Sequence, residues 1–227
     1  MPETRVRIAG AAAVLDPAGA LWLPESRTLV VADLHLEKSS SFARRGMMLP
    51  PYDTDATLAL LAELIRRRDP AEVICLGDSF HDRGGFGRLS EAGRLRLAAL
   101  QRGRAWMWIT GNHDPELPAE IDGEIGAEYM TGGLTFRHEP VAGAAPGEVA
   151  GHLHPSAKVR GRGRAVRCRA FATDGERMVL PAFGVLAGGL NVLDRAFAPL
   201  FAAGALRPVL IGGGRLFPVA FSALSPD

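Results

Sequence analysis

Ala105-Trp106-Met107-Trp108-Ile109-Thr110-Gly111-Asn112-His113-Asp114 is the stretch on which the reading of this chain turns. An apolar run passes into a glycine and then into polar side chains, with Pro115 directly after. Such a run, closed by turn residues, is a buried strand that hands its last side chains to a loop. The carboxyl ends of buried strands are where open α/β sheets keep their chemistry. Alone, the segment from Thr110 to Asp114 proves little, because Gly-Asn is an ordinary turn pair and a histidine there can be a surface residue. Its weight depends on what ends the other strands.

Upstream, Val73 to Leu76 is a second continuously apolar run and ends in Gly77-Asp78, while Thr28 to Ala32 ends in Asp33-Leu34-His35. Runs of this kind belong to strands buried on both faces. Between them, Asp53 or Thr54 caps an expected helix to about Arg68, with Leu58, Leu61, Leu64 and Ile65 on one face. Arg66 to Arg68 would close that helix as a solvated end suited to its dipole. A second helix is expected from about Ser90 to Arg102. Strand, helix, strand, helix, strand indicates parallel βαβ units. Ahead of them, Arg5 to Leu15 and Ala20 to Leu23 read as two short strands joined by the turn Asp16-Pro17-Ala18-Gly19, an opening hairpin. Beyond Pro118 short strands dominate, and a mostly antiparallel sheet is expected. The fold class is therefore mixed α/β, in a single domain spanning residues 1–227.

With 227 residues the chain is long enough to bury a substantial core. Lys+Arg 26 against Asp+Glu 25 excludes the global polycation signature of a nucleic-acid coat protein. Arginine far outnumbers lysine, which occurs only at Lys38 and Lys158. The two cysteines, Cys75 and Cys168, have no metal or disulfide spacing, as expected of a reducing, cytoplasmic setting. Arg5 and Arg7 precede the apolar stretch Ile8 to Leu15, but it is short and broken by Asp16-Pro17, so it is not read as a secretion signal. No run approaches the ~20 apolar residues of a membrane-spanning helix.

Strand after strand ends in a potential metal ligand: Asp33 and His35, Asp78, Asn112 with His113, His138, then His152 and His154. Five of the six histidines belong to this set. Asp33 and His35 are two apart, which in a still-extended chain sends both side chains to one face, and His152 and His154 repeat that spacing. Imidazole with carboxylate and amide oxygen, without thiolate, suits Mn, Fe or Zn in a working site more than a structural zinc. One ion does not use seven protein ligands; two ions sharing a carboxylate do.

Asp33-Leu34-His35, Gly77-Asp78, Gly111-Asn112-His113-Asp114, His138 and Gly151-His152-Leu153-His154 resemble, in order, the blocks of the calcineurin-like binuclear metallophosphoesterases. Further features are similar to the bacterial ligase-associated DNA damage response endonucleases, the PdeM subfamily: Val31 to Lys38, Gly77 to Asp82, Phe136-Arg137-His138-Glu139-Pro140, Gly151 to Pro155, Leu180 to Gly184, and Gly188 to Asn191. The resemblance implies two central mixed β-sheets flanked by helices. It implies that Asp33, His35 and His154 hold one metal, that Asn112, His138 and His152 hold the other, and that Asp78 bridges them. The ions would be two divalent metals, Mn foremost, with Fe, Zn, Ni or Co as other occupants. His113 would be a free acid that protonates the leaving alkoxide.

In two places the chain departs from the family pattern. Members have Asp, often followed by Arg, three residues after the bridging Asp; here Asp82-Arg83 stands four after Asp78, with His81 at the usual place. Asp82 is then the expected orienter of His113, Arg83 an expected phosphate clamp, and His81 either a substrate contact or a surface residue. Glu37 stands where relatives have Gly. Separately, Lys158-Val159-Arg160-Gly161-Arg162-Gly163-Arg164 would place its cations on one face of an extended chain. Arg160 and Arg162 there suit the backbone of a single strand, or keep an edge hairpin from aggregating. The expected activity is a Mn-dependent phosphodiesterase that cuts DNA, single-stranded by preference, in repair, with a ligase or helicase as partner. The alternatives are hydrolysis of small nucleotides or phosphomonoesters, and a catalytically silent metal-binding scaffold.

Overall fold

The computed structural model describes residues 4–161 and 164–227, so Arg162 lies outside the described residues. Seven strands form the first sheet in sequence order: β1 (Thr4–Ile8), β2 (Ala11–Leu15), β3 (Leu21–Leu23), β4 (Thr28–Val31), β5 (Glu72–Leu76), β6 (Ala105–Ile109) and β7 (Glu124–Gly126). Pairing is antiparallel from β1 to β4 and parallel from β4 to β7. The expected opening hairpin is thus a three-stranded meander. Ala9 and Gly10, at φ 46° and 87°, turn the chain inside what reads as one apolar run. That is the two-residue turn whose twist matches an antiparallel pair.

Four helices lie among these strands: α1 (Lys38–Ala43), α2 (Asp53–Arg68), α3 (Gly85–Arg88) and α4 (Glu91–Gln101). Ser90 caps α4, its side chain accepting from the Gly93 N–H. At α2 the two side chains expected to cap are used elsewhere. The Asp53 carboxylate accepts from the Ser39 backbone N–H at 3.1 Å and from the Ser39 hydroxyl. Thr54 Oγ1 accepts from the Glu37 N–H at 2.8 Å. These contacts fix α1, a helix the polar run Glu37 to Arg45 does not announce. At the other end of α2, Arg67 and Arg68 reach the buried carboxylate of Asp16 at 3.2 and 3.5 Å, and so tie the helix to the β2–β3 turn.

The second sheet has ten strands: β8 (Glu128–Thr131), β9 (Leu134–Arg137), β10 (Glu148–Ala150), β11 (Pro155–Gly161), β12 (Arg164–Thr173), β13 (Met178–Val179), β14 (Leu190–Asn191), β15 (Arg207–Gly212), β16 (Arg215–Pro218) and β17 (Leu224–Ser225). Most pairs are antiparallel, as expected, but β10 runs parallel to both β9 and β13, and β11 runs parallel to β14. In the β11–β12 hairpin Lys158 stands opposite Arg167, while Arg164 stands opposite Gly161. Directly paired residues share a face and successive residues alternate. Arg164 therefore lies on the other face from Lys158 and Arg160, because the chain reverses where the sequence reading ran it straight.

Alternation explains why β4, β5 and β6 are apolar on both faces beyond their first residues. Leu29, Val31, Val73, Cys75, Trp106 and Trp108 pack on α2 and α4. Val30, Ala32, Ile74, Leu76, Met107 and Ile109 pack on Phe136, Val149, Phe171 and Met178 of the second sheet. The outer face of that sheet is covered by an irregular segment carrying Phe197, Leu200, Phe201 and Leu206. No helix among the described residues is long and apolar enough to cross a membrane. Leu61 is fully buried and its neighbour Leu60 is 42% exposed. Leu61→Ala should cost ~2–5 kcal/mol in denaturant unfolding, and Leu60→Ala no more than about 0.5 kcal/mol.

Candidate metal centre

β4 stops at Val31, so Asp33 and His35 are not delivered by a strand. Their φ angles are 54° and 44°, and those of His152 and His154 are 68° and 45°. The expectation of an extended chain at both pairs is therefore corrected: the side chains converge because each alternate residue is left-handed. Asp78 at 46° and Glu37 at 63° do the same, so among the described residues six of the nine non-glycine positions with positive φ lie in this region. Each such residue costs roughly 1–2 kcal/mol, and the left-handed turn at Glu37 is one that glycine would adopt without that cost. Cross-links between loops hold the conformation. The His35 N–H donates to the Asp78 carbonyl at 2.9 Å, Leu36 N–H to Ser79, and His81 N–H back to Leu36.

Asp33, His35 and His154 form one cluster, with His35 Nε2 3.2 Å from His154 Nε2 and His154 Nε2 3.1 Å from Asp33 Oδ1. Asn112, His138 and His152 form another: Asn112 Oδ1 is 3.0 Å from both His138 Nε2 and His152 Nδ1, which are 3.1 Å apart. Asp78 lies between them, its Oδ2 3.4 Å from His138 Nε2 and 3.9 Å from His35 Nε2. His138 Nδ1 faces the Leu76 carbonyl at 2.9 Å, which fixes the proton there and turns the Nε2 lone pair to the cluster. Ring nitrogens that face each other this closely compete for one proton. A divalent cation among them satisfies every lone pair at once, and the nitrogen and oxygen donors suit such an ion.

Electrostatics follow from burial. Loss of hydration, with His154 close by, pushes His35 down to about 2 and keeps it neutral. Burial also opposes charge on Asp78, but the hydrogen bond and charge of His138, with the His113 N–H, hold it down at about 2. Asp114 is raised to about 6, chiefly by burial. Its carboxylate accepts from the Gly111 N–H and the Phe80 N–H, each at 3.0 Å, and so laces the β5 and β6 loops together. Nothing in the sequence around Asp114 announces this task.

Glycine precedes three of these ligands for lack of room, a Cβ on Gly151 standing 2.6 Å from Asp33 Oδ2. A Cβ on Gly111 would stand 2.2 Å from Asp78 Oδ1, and one on Gly77 would stand 2.5 Å from the His138 ring.

His113 is half-buried beside the clusters, and its N–H donates to Asp78 Oδ1 at 2.9 Å. Its Nδ1 is 2.8 Å from the His81 carbonyl. The expected orienter, Asp82, instead faces Arg88, with two contacts of 2.8 and 2.9 Å. The fourth-residue spacing points Asp82 back along its own loop, and a main-chain oxygen takes the place beside His113. The His81 ring stacks on His113 at 5.1 Å and lies 5.4 Å from His35, so all six histidines meet here. Arg83 is exposed and 4.0 Å from Glu116. Arg160 is exposed, six residues along from His154, and is not gathered into the clusters.

A family model described as calcineurin-like phosphoesterase matches residues 26–168. The chain belongs to the calcineurin-like phosphoesterase family. Among solved structures, Pseudomonas putida nuclease MPE shares 30% identity with this phosphoesterase over 96% of its chain and 100% of the other, at a TM-score of 0.74. YfcE, a phosphoesterase from E. coli, shares 16% identity over 85% and 98% of the two chains at a TM-score of 0.41, too slight a likeness to argue from. No curated protein sequence matches. Family membership makes the protein a metal-dependent hydrolase of phosphoesters, and the clusters above are its candidate metal-binding residues. Gly111→Ala in this phosphoesterase should lower metal affinity about 10–100-fold by displacing Asp78, the range seen when support for ligands is lost. Metal content after dialysis against graded chelator checks this.

Proposed function

We propose that the protein is a DNA endonuclease of repair, cutting phosphodiester bonds in single-stranded DNA with Mn as its preferred ion. The observation that carries the reading is the pair of clusters with Asp78 between them, beside a half-buried His113 whose own group with His35 and His81 contains no carboxylate. Support for a nucleic-acid substrate comes from a solved relative named as a nuclease and alike over nearly the whole chain. The repair setting, with a ligase or helicase as partner, rests on the subfamily resemblance. A cytoplasmic setting suits two free cysteines.

In this reading Asp33, His35 and His154 would hold one ion and Asn112, His138 and His152 the other, with the Asp78 carboxylate available to both. Bound divalent ions supply Lewis-acid activation of water and neutralise phosphoryl charge. The chain's own residues do the rest. His81, through its carbonyl, holds the Nδ1 proton of His113 and fixes the ring's orientation. His113 Nε2, 3.9 Å from Asp78 Oδ2, then carries the proton given to the departing alkoxide. Arg83 stands exposed on the loop next to His81 and can reach a phosphate oxygen. Asp82 serves by holding Arg88, which also donates to Ser40 of α1 at 2.9 Å.

The deciding experiment is nicking of circular single-stranded DNA across Mn, Fe, Zn, Ni and Co. Asp78→Ala should abolish nicking. His113→Ala should keep its metals and lose about 10²–10⁴-fold, with much smaller loss on nitrophenyl phosphodiesters, whose leaving group needs no proton. Asn112→Ala should lose metal together with activity. Rapid turnover of cyclic nucleotides without nicking would move the assignment to a small-molecule phosphodiesterase, and metal binding without any turnover to a scaffold.

A further inference from the structure

Beside the clusters, α1 and the turn after it present a surface the reaction itself does not use. The Phe42 ring lies 5.5 Å from the His81 ring, which stacks on His113 at 5.1 Å, so a ladder of three rings leads from the outer loop to the centre. Lys38 Nζ sits 5.9 Å over the Phe42 ring and is anchored to the Leu186 carbonyl at 3.1 Å. Arg45 is exposed in the turn that follows α1, three residues on from Phe42. The turn is built, not loose: the N–H groups of Arg45 and Met47 both donate to the Phe42 carbonyl, at 2.9 and 3.0 Å.

The cations of this surface, Lys38, Arg44, Arg45 and Arg88, outnumber its carboxylates, Glu37, Asp53 and Asp82, by one, and Asp53 acts on Lys38. Glu37 is engaged by Ser40 and Thr54, Asp53 by Ser39, and Asp82 by Arg88. No ion pair among the described residues includes Lys38, Arg44 or Arg45. Met48 and Tyr52, 86% and 63% exposed, continue the apolar side of the same segment. A half-buried aromatic ring with exposed cations in the turn after it suits sequence-tolerant recognition of a single strand, because every base has a π-face and every linkage a charge.

We propose that Phe42, Lys38 and Arg45 form a subsite for one nucleotide of a single-stranded substrate flanking the cleaved linkage, with the base on the Phe42 ring and its phosphate between the two cations. This rests on the nuclease reading for its ligand. It supplies the aromatic element that the β11–β12 basic stretch lacks.

The test is equilibrium binding of a fluorescent oligothymidylate, and of the same backbone with abasic positions, to metal-free protein. Phe42→Leu keeps apolar volume but removes the π-face. It should weaken oligothymidylate about tenfold or more and the abasic strand less than twofold, whereas Phe42→Trp should stay within threefold of wild type on both. Arg45→Glu should weaken both strands and lower the slope of log affinity against log salt by about one phosphate contact. A Phe42→Leu protein that binds both strands as wild type does, or that loses both equally, overturns the subsite. If wild type still nicks single-stranded DNA, the nuclease reading survives that result. A wild type that binds neither strand and nicks nothing overturns both.

Discussion

Two almost fully buried carboxylates, Asp33 and Asp78, face the imidazoles of His35, His113, His138 and His154 at separations of 3.1 to 3.9 Å. Groups of this kind, stripped of water and crowded together, resist folding unless something compensates them. Much of the compensation is main-chain. Asp33 accepts from the His152 N–H, Asp78 from the His113 N–H, and Asp114 from two further N–H groups across the loops. The rest depends on rigid supports beneath. Three parallel strands, apolar on both faces, locate their own ends closely enough that loops carrying left-handed residues can meet over them.

The two halves of the fold divide this labour. The βαβ half brings Asp33, His35, Asp78, Asn112 and His113 to the carboxyl ends of β4, β5 and β6. The second sheet brings His138, His152 and His154 to the same place from the far side. The contact between the sheets sets the distance between the candidate metal clusters. Val30, Ala32, Ile74 and Leu76 meet Phe136 and Val149 directly beneath them. Packing at that layer is therefore part of the chemistry.

Features that depend on local pattern could be read from the sequence: the three buried strands, α2, α4 and the polar residues ending each strand. What escaped depends on groups that sequence does not display. Asp-Leu-His carries no sign that its first and third residues are left-handed, so an extended chain was the natural expectation. The carbonyl beside His113 is main-chain and belongs to a histidine noticed for its ring. Asp53 and Thr54 look like caps for α2 because they have cap chemistry, but a competing segment, Glu37 to Ser39, takes their oxygens. Ala9-Gly10 breaks an apolar run without the Asn or Asp that usually marks such a turn.

That use of Asp53 and Thr54 has an architectural consequence. The start of α1 is bolted to the first turn of a core helix, and α1 follows directly on His35. Between the end of α1 and the start of α2 the chain spans residues 44 to 52 with both feet fixed. Insertions, deletions or altered chemistry in that span do not pull on Asp33 or His35. A change of length or chemistry there is taken up between two fixed points and stays clear of the candidate metal clusters.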